Sequence, residues 1–434
     1  FGVSKLIKEC IKHNTQAAFL IILSLFSGRT VEKLIDKNIV FKGKKNHDHI
    51  SIKFPFKTNE FHINEKLQPF VEENLDKIEL QLPDFFHGFS ERNMSVSSIE
   101  DMKLLIKEIN ETYTLRINLG QISQYMTYWM VNNKFDTTLI AIISGRFGKK
   151  NKTNKLKSEV SGINYTRVSI NKIVEIYNQY LLHLSSLAGF KYSPQRTLLP
   201  GSVGSNLVFK KSLFKRLFGY ISRRIKEINA SIDRDIETEF NIFTIYTLQI
   251  LNLATGHRPV SDPYQTIQTI NLDTQSIIIC DKRSNDIIAE RFIVLNNIAM
   301  KQLNNYLDYL KHLIRDCTFI DDNIKLEFSK ILAGEQALFG FIENNEFKRI
   351  KPKLLTEKME DIFPVPLNWN RHFIRTTLCE KNIHSDLIDL WMGHEGIGGY
   401  GLTEFSHLSS SNLKQIAKKI NQIMRDLNIL PISI

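Results

Sequence analysis

A small set of cationic and imidazole side chains stands at the ends of apolar segments in the second half of this 434-residue chain. Arg258 follows an apolar stretch and a Thr-Gly turn, and Lys282 lies in a turn between two strand-like stretches. His372 and Arg375 are one helical turn apart and share a face, and His394 follows Met-Gly after an apolar helix. Attack on a phosphodiester requires cations against the non-bridging oxygens and a proton donor for the leaving 5′ oxygen. The set therefore indicates phosphodiester chemistry, and since no carboxylate cluster with metal-ligand spacing accompanies it, a two-metal nuclease is disfavoured.

These residues form motifs in a fixed order: Thr255-Gly256-His-Arg258, the hairpin Lys282, His372-Phe-Ile-Arg375 and Met392-Gly393-His394. Together the motifs resemble the catalytic domain of the tyrosine recombinases, the bacteriophage integrase family. The resemblance implies that Arg258 and Arg375 clamp the scissile phosphate and that Lys282 is the general acid. It implies that His372 assists as acid or base and that His394 bonds a phosphate oxygen. It further implies a tyrosine that attacks to form a 3′-phosphotyrosyl link, with no metal and no nucleotide cofactor.

The expected nucleophile is the point at which the sequence departs from this pattern. In the family a tyrosine follows the Gly-His in a segment that resembles Tyr-Thr-His, and here that segment is Glu404-Phe405-Ser406-His407. Phe405 lacks the hydroxyl that would have to be activated. Three explanations are open: Phe405 is a Tyr→Phe substitution, the protein is naturally inactive, or Tyr400 has taken over as nucleophile. A plain core aromatic would also suit the setting of Phe405.

An internal repeat is indicated by two stretches with the same order of elements. An apolar helix over Ala17–Phe26 runs into Ser27-Gly28-Arg29-Thr30, and Ile242–Ala254 runs into the turn before Arg258. In both copies strands with a polar turn follow, and Gln124–Arg146 aligns without a gap on His372–His394. We therefore predict two homologous domains, mainly α with small antiparallel β-sheets (α+β). The alternative is that any two helix-rich segments align this well.

The first copy lacks most of the phosphate clamp. Gln124 and Thr127 stand where the second copy has His372 and Arg375, and Arg29 is one position away from the place of Arg258. Arg146 replaces His394, whereas Tyr165 and Lys57 have counterparts in the family pattern. Because a lost clamp leaves the transition-state charge poorly matched, we predict a pseudo-catalytic domain for DNA grip or subunit contact. Tyr165 is then a buried or DNA-contacting aromatic rather than a second nucleophile.

Three regions follow from this division: a pseudo-catalytic domain over residues 1–169, a helical DNA-binding linker region over 170–239 and a catalytic domain with a C-terminal helix over 240–434. In the linker region an amphipathic helix has one apolar face, formed by Leu213, Leu217, Ile221, Ile225 and Ile228. Its cations fall largely elsewhere and are expected to meet phosphates: Lys211, Lys215, Arg216, Arg223 and Arg224. The loop residues Lys149, Lys150 and Lys152 are predicted to do the same. A solvated surface helix is the alternative for each cation.

The composition agrees with a polyanionic partner. Lysine plus arginine (57) exceeds aspartate plus glutamate (46), which leaves a net charge of +11 and makes double-stranded DNA the first partner to consider. The alternative is that a lysine-rich genome produces the same positive charge surplus, in which case the surplus has no function. The four cysteines lie far apart, so neither a disulfide framework nor a zinc site is indicated, and a cytoplasmic, nucleoid-associated protein is expected. Since the chain begins with Phe1, we expect that it is a fragment.

The predicted function is site-specific recombination or integration of DNA, as for mobile genetic elements and transposition, by a homo-oligomer that encircles the duplex. A catalytically inactive DNA-binding subunit that supplies architecture to an active partner is the alternative, and a basic helical protein with no DNA role is a third. The end of the chain, Asn412–Leu430, is an amphipathic helix. It is expected to pack either on its own domain or on a neighbouring subunit.

Overall fold

The computed structural model describes residues 2–35, 40–42, 51–56, 61–71, 73–90, 99–145, 161–194, 200–232, 234–281, 290–318, 320–394 and 409–434. These residues are mostly helical with small antiparallel sheets, so the predicted α+β class is confirmed. The chain divides into two compact units. Unit 1 comprises Phe1–Asn59 and Glu73–Ser205, and unit 2 comprises Glu60–Glu72 and Asn206–Ile434.

Unit 1 contains α1 (Gly2–His13), α2 (Gln16–Ser27), α3 (Val31–Ile35), β1 (Val40–Lys42), β2 (Ser51–Pro55), β3 (Lys77–Gln81), α4 (His87–Ser90), α5 (Ile99–Tyr113), α6 (Leu119–Asn132), α7 (Thr137–Ser144), β4 (Arg167–Ser169), α8 (Ile170–Ala188) and β5 (Ser202–Gly204). The strands β1, β2 and β3 form an antiparallel sheet in that order, and β4 pairs antiparallel with β5.

The apolar run predicted as a buried helix is α2, which lies in the core of unit 1. Thr15 caps its N-terminus, since its side chain accepts a hydrogen bond from Ala18 N, and Gly28 ends it with a φ of 66°. Phe26 of α2 packs edge-on against Phe85 and Phe86, whose rings stack on each other with centroids 4.6 Å apart. An all-apolar helix is stable here because every face is covered by protein.

Unit 2 contains α9 (Lys211–Asn229), α10 (Ile236–Thr255), β6 (Ile270–Asn271), β7 (Ser276–Ile279), β8 (Arg291–Val294), α11 (Asn297–Asp316), α12 (Asp322–Ala333), β9 (Gly340–Glu343), β10 (Glu346–Arg349), α13 (Pro352–Met359), α14 (Trp369–Glu380), α15 (Ser385–Met392) and α16 (Ser410–Asp426). The strands β6, β7 and β8 form an antiparallel sheet in that order, and β9 pairs antiparallel with β10.

The helix α10 runs through the core of unit 2 and is buried from Glu239 to Thr255. Its polar side chains are bonded, as burial in an apolar interior requires. Asn241 donates to Ile342 O at 2.7 Å and accepts from Ile342 N at 2.8 Å, which ties α10 to β9. The carboxylate of Glu239 accepts hydrogen bonds from Arg234 and from the Tyr309 hydroxyl. The helix is therefore a fixed support for the residues that follow its C-terminal end.

The two segments that the sequence aligns without a gap have matching helix ends. The helices α6 and α14 end at aligned positions, and α7 and α15 have the same length of eight residues. Between them Lys134 and Asn382, which are aligned, have φ values of 58° and 55°. After them Gly145 and Gly393, also aligned, end the second helix with φ values of 65° and 62°. The local fold of the two segments is thus the same.

Two sequence expectations differ from the structure at the unit boundaries. Phe61–Ile63, which the repeat assigns to the first copy, belongs to unit 2. This follows from packing, since Ile63 is buried in the core of unit 2 and Phe61 packs against it. The helices of the linker region predicted over 170–239 are divided, because α8 belongs to unit 1 and α9 to unit 2.

The C-terminal helix α16 packs on its own unit. It buries Leu413, Ile416, Ile420 and Ile423, as its apolar pattern predicts. The segment after it is held by hydrogen bonds from the Tyr246 hydroxyl to Leu430 O and from Asn305 Nδ2 to Ile432 O. Within the described residues, no helix combines the length and the apolar composition needed to cross a membrane.

Candidate active site

The predicted site residues are positioned by the C-terminal ends of α10 and α15. Both helices end at a glycine in the left-handed region, Gly256 with a φ of 62° and Gly393 with a φ of 62°. The two ends touch, because a Cβ on Gly256 would lie 2.8 Å from the Met392 sulfur. Glycine is therefore required at position 256 both for its φ and for the close approach. His394 directly follows Gly393, and Arg258 follows Gly256 with His257 between them.

Arg258 is held by the carboxylate of Asp281, the last described residue before the hairpin that contains Lys282. The backbone N–H of Arg258 donates to Asp281 Oδ2 at 2.8 Å, and its Nη1 donates to Oδ1 at 3.2 Å. Its Nη2 lies 3.4 Å from Gly393 O. With 23% of its side chain exposed, Arg258 is accessible to a ligand, whereas the other predicted catalytic residues in the described ranges are buried.

A second arginine, Arg291 at the start of β8, binds the same carboxylate of Asp281. Its guanidinium donates to Asp281, to Thr255 O at 2.8 Å and to Trp391 O, so it joins the ends of α10 and α15. Burial by itself would raise the pKa of Asp281, but Arg291, His257 and the hydrogen bonds hold it well below its ordinary range. Asp281 is therefore a carboxylate that orients the guanidinium of Arg258.

Arg371, next to His372 on α14, joins the same two helix ends. It donates from Nη1 to Gly256 O and from Nη2 to Met392 O at 2.9 Å. The same Nη2 lies 2.8 Å from Nε2 of His394. Because a guanidinium only donates, Nε2 of His394 must accept, and the imidazole proton is assigned to Nδ1. Nδ1 of His394 in turn lies 3.5 Å from Asp389 Oδ1.

His394 is consequently a neutral imidazole. Burial lowers its pKa well below the ordinary value, and the nearby charges of Arg371, Arg375, Arg258 and Arg291 lower it further. The resemblance implies a bond from His394 to a phosphate oxygen. In the geometry observed here Nε2 is occupied by Arg371 and the proton faces Asp389, so such a bond requires the imidazole or Arg371 to move.

His372 and Arg375 are fully buried on the same side of α14. Nε2 of His372 lies 3.1 Å from the amide nitrogen of Asn368, and the edge of its ring packs on Phe61 with centroids 5.3 Å apart. Burial lowers the pKa of His372 to about 3, and the charge of Arg371 contributes to this shift. Arg375 Nη2 lies 3.4 Å from Asp389 Oδ1. Burial raises the pKa of Asp389, and Arg375 opposes that rise.

The structure thus brings four of the predicted catalytic residues into one part of unit 2: Arg258, His372, Arg375 and His394. Lys282, Phe405 and the alternative nucleophile Tyr400 lie outside the described residues. Within the described ranges, no group of three or more His, Cys, Asp or Glu side chains is arranged to hold a metal ion.

The predicted DNA-binding helix is α9, and its apolar face packs on α14. Phe214 stacks on Trp369 with centroids 4.3 Å apart and meets Phe373 edge-on at 4.7 Å. Leu213, Ile221 and Ile225 are buried as predicted, whereas Leu217 and Ile228 are only half-buried. The exposed side chains include all the cations predicted to contact DNA: Lys211, Lys215, Arg216, Arg223 and Arg224. Lys149, Lys150 and Lys152 lie outside the described residues.

Four residues of the site escaped the sequence reasoning: Asp281, Arg291, Arg371 and Asp389. Arg371 had a signal, since it directly precedes His372, and so had Asp281, which directly precedes Lys282. Asp389 is a charged residue within the apolar run Leu387–Met392, which is a recognisable sign of a buried partner. Arg291 begins an ordinary strand pattern, and nothing in the local sequence distinguishes it.

In unit 1 the buried Arg29 joins the corresponding helix ends. Arg29 Nη1 donates to Ser27 O at 2.9 Å and to Ile143 O at 3.0 Å, which joins the ends of α2 and α7. Its guanidinium lies over the Phe54 ring, 3.3 Å from the centroid, and burial lowers its pKa to about 9. By the internal alignment, Ser27 and Ile143 correspond to the carbonyls that Arg291 binds in unit 2.

The other predicted features of the first copy are only in part described. Tyr165 is half-buried, Gln124 is exposed and Thr127 is half-buried. Lys57 and Arg146 lie outside the described residues. None of the three described side chains takes part in the arginine contacts that join α2 and α7.

No protein-family model and no curated protein matches this sequence. Among solved structures the chain is similar to XerA recombinase, whose crystal structure aligns with a TM-score of 0.28 at 15% sequence identity. The alignment covers 74% of this chain and 93% of that chain. We therefore base the function on the residues of the site.

Proposed function

We propose that the chain is a DNA breaking-rejoining protein of the tyrosine recombinase type, with its site in unit 2. The observation that carries the proposal is the convergence of Arg258, Arg375, His372 and His394 at the ends of α10 and α15. These residues come from three separate segments of the sequence and are the ones that the motifs predict for phosphate chemistry.

The charge of the site supports an anionic ligand. Four arginines and two carboxylates meet there: Arg258, Arg291, Arg371, Arg375, Asp281 and Asp389. Four positive and at most two negative charges leave a surplus of at least two. The histidines add no charge to this surplus, since burial and the arginines keep them neutral. A positive surplus in a region of low dielectric attracts a phosphate strongly, and Arg258 is the partly exposed contact.

In the proposed reaction a tyrosine hydroxyl attacks the scissile phosphorus. The bond from the tyrosine oxygen to phosphorus forms as the bond from phosphorus to the 5′ oxygen breaks. His372 takes up the tyrosine proton, for which Asn368 must first release Nε2 of its imidazole. Lys282 gives a proton to the leaving 5′ oxygen, and Arg258 with Arg375 stabilises the charge on the phosphate. The position of the tyrosine is occupied by Phe405 in this chain, so the chain as written is inactive unless Tyr400 acts instead.

The remaining parts of the chain serve DNA binding in this proposal. The exposed cations of α9 contact phosphates, and the packing of α9 on α14 keeps them close to the site. Unit 1 is a degenerate second copy of the catalytic domain, since its helix ends match and Arg29 is buried away from any ligand. The protein acts as a homo-oligomer on double-stranded DNA, in the cytoplasm with the nucleoid.

Formation of a covalent adduct tests the proposal. The chain as written, Phe405→Tyr and Tyr400→Phe are each incubated with a nicked duplex that releases a short strand on cleavage, and adducts are resolved on a denaturing gel. We expect adduct only with Phe405→Tyr, and none when Arg258→Ala is added to it. An activity of the chain as written that Tyr400→Phe abolishes would move the nucleophile to Tyr400.

A catalytically inactive, architectural DNA-binding subunit is the second candidate. The observation that favours it is Phe405, which has no group able to attack phosphorus. If no variant forms an adduct, yet the chain binds duplex DNA with a steep salt dependence, this candidate is supported and the recombinase proposal fails. Weak DNA binding that Arg258→Ala leaves unchanged would count against both.

A further inference from the structure

In the described part of unit 1, α6 and the C-terminal half of α8 form a surface to which these two helices contribute no charged side chain. Residues 117–133 and 176–190 contain no Lys, Arg, Asp or Glu, although such residues make up 24% of the chain. Along the sequence the first segment is flanked by Arg116 and Lys134, and the second by Glu175, which pairs with Lys172, and by Lys191. We call the area between them the α6–α8 surface.

The two helices share this surface through a group of aromatic side chains. The Tyr125 hydroxyl lies 3.0 Å from Nε2 of His183, and the Trp129 ring stacks on His183 with centroids 5.8 Å apart. Trp129 also contacts Tyr180, at 5.3 Å between centroids. Burial lowers the pKa of His183, which keeps the imidazole neutral at physiological pH. The base of the surface is therefore rigid, aromatic and uncharged.

Large apolar side chains stand exposed on both helices. The exposed fraction is 65% for Tyr128 and 54% for Val131 on α6, and 45% for Leu182 and 37% for Leu187 on α8. Single exposed apolar residues are common, but several on adjoining helices form the kind of patch that marks a protein interface. Tyrosine in particular is enriched at such interfaces.

The lack of charge and the exposed polar groups of the α6–α8 surface indicate which partner it binds. Duplex DNA is disfavoured, because its phosphates require cations and the α6–α8 surface has none. Two copies of this chain, each with a net charge of +11, repel each other through most of their surfaces, and an uncharged face is where their approach costs least. The exposed Gln124 and Gln179 amides and the Tyr128 hydroxyl offer both donors and acceptors, so the surface can pair with itself.

We propose that the α6–α8 surface binds the same surface of a second copy of this chain and forms a two-fold symmetric dimer. The inference does not depend on the DNA activity proposed above, because the dimer forms without DNA. The dimer also gives unit 1 the role in subunit contact that the sequence predicts for a domain without the phosphate clamp.

Sedimentation equilibrium of the full chain, without DNA and over a wide range of protein concentration, tests this proposal. We expect a monomer–dimer equilibrium whose Kd rises by about 30-fold or more in a variant with Tyr128→Asp and Leu182→Asp, since interface hot spots contribute about 2 kcal/mol or more. Leu326→Asp is the matched control, because Leu326 is 54% exposed on α12 of unit 2 among charged neighbours. It should leave the Kd unchanged.

Two results would overturn the proposal. One is a wild-type chain that stays monomeric at every concentration. The other is an equal loss of association in the Leu326→Asp control, which would indicate unspecific hydrophobic contact. Val131→Asp is a second variant on α6, and the unfolding midpoint of each variant is measured beside its Kd. Because these side chains are exposed, we expect native midpoints.

Discussion

The stability of unit 2 should fall steeply as the pH is lowered from about 7 to about 5, because its site contains buried neutral histidines. Burial lowers the pKa of His257 to about 4, and burial with nearby arginine charge lowers that of His372 to about 3. In the unfolded chain both histidines return to a pKa near 6.5. Between these values the unfolded state binds more protons than the folded state, so stability is present above pH 6.5 and is lost on acidification.

The expected magnitude follows from these pKa values. For each histidine, the step from pH 7 to pH 5 costs about 2 kcal/mol of folding free energy. His257 and His372 together cost about 4 kcal/mol, and His394, whose pKa is also lowered by burial, adds to this loss. Such a loss is a large part of the stability of an ordinary domain.

Urea unfolding at the two pH values measures this loss. The three tryptophans are Trp129 in unit 1 and Trp369 and Trp391 in unit 2, so a Trp129→Phe background reports on unit 2 by fluorescence. In that background His257→Gln should reduce the pH-dependent loss by about 2 kcal/mol. The control His312→Gln, at an exposed position on α11, should leave it unchanged. An equal pH dependence in wild type and His257→Gln would refute the reasoning.

Two further sets of substitutions distinguish an arginine that stabilises the fold from cations that contact DNA. Arg29→Met should lower the urea stability of unit 1 by about 2–4 kcal/mol, because two buried carbonyls lose their donor, yet leave duplex DNA affinity unchanged. Weaker DNA binding at native stability would contradict this. The pair Lys215→Gln and Arg223→Gln should lessen the salt dependence of duplex binding by about two counterions, measured by fluorescence anisotropy. Arg315→Gln, exposed on α11, is the control. An equal reduction of the salt dependence in this control would show that the α9 cations do not contact the DNA.

Much of the site could be predicted because its residues follow helix ends. The apolar patterns of α10 and α15 predict where the helices end, and the glycines at 256 and 393 give the turns. Residues that directly follow two adjoining turns are brought together by the fold itself. Arg258 and His394 were therefore predictable from one sequence, and so was the pairing of His372 with Arg375 on one helix face.

The contacts that hold these residues could not be predicted in the same way. Arg291 reaches backbone carbonyls that lie 36 and 100 positions away, and a carbonyl acceptor leaves no trace in the sequence. The same is true of Arg371, whose acceptors include Gly256 O and Met392 O. Likewise, Phe61 could not be assigned to unit 2 by its pattern, because the packing that decides it is long-range.

The difference between the two units reduces to which arginine joins the helix ends. In unit 2 the joining arginines are Arg291, supplied by a strand, and Arg371, supplied by α14. Arg258 is therefore left at the turn, where Asp281 orients it and 23% of its side chain is exposed. In unit 1 the arginine of the turn, Arg29, itself binds the two carbonyls and is buried beside Phe54. The same guanidinium cannot join the helices and also face a ligand. Because Arg29 is used to join the helix ends of unit 1, it is not presented to a phosphate.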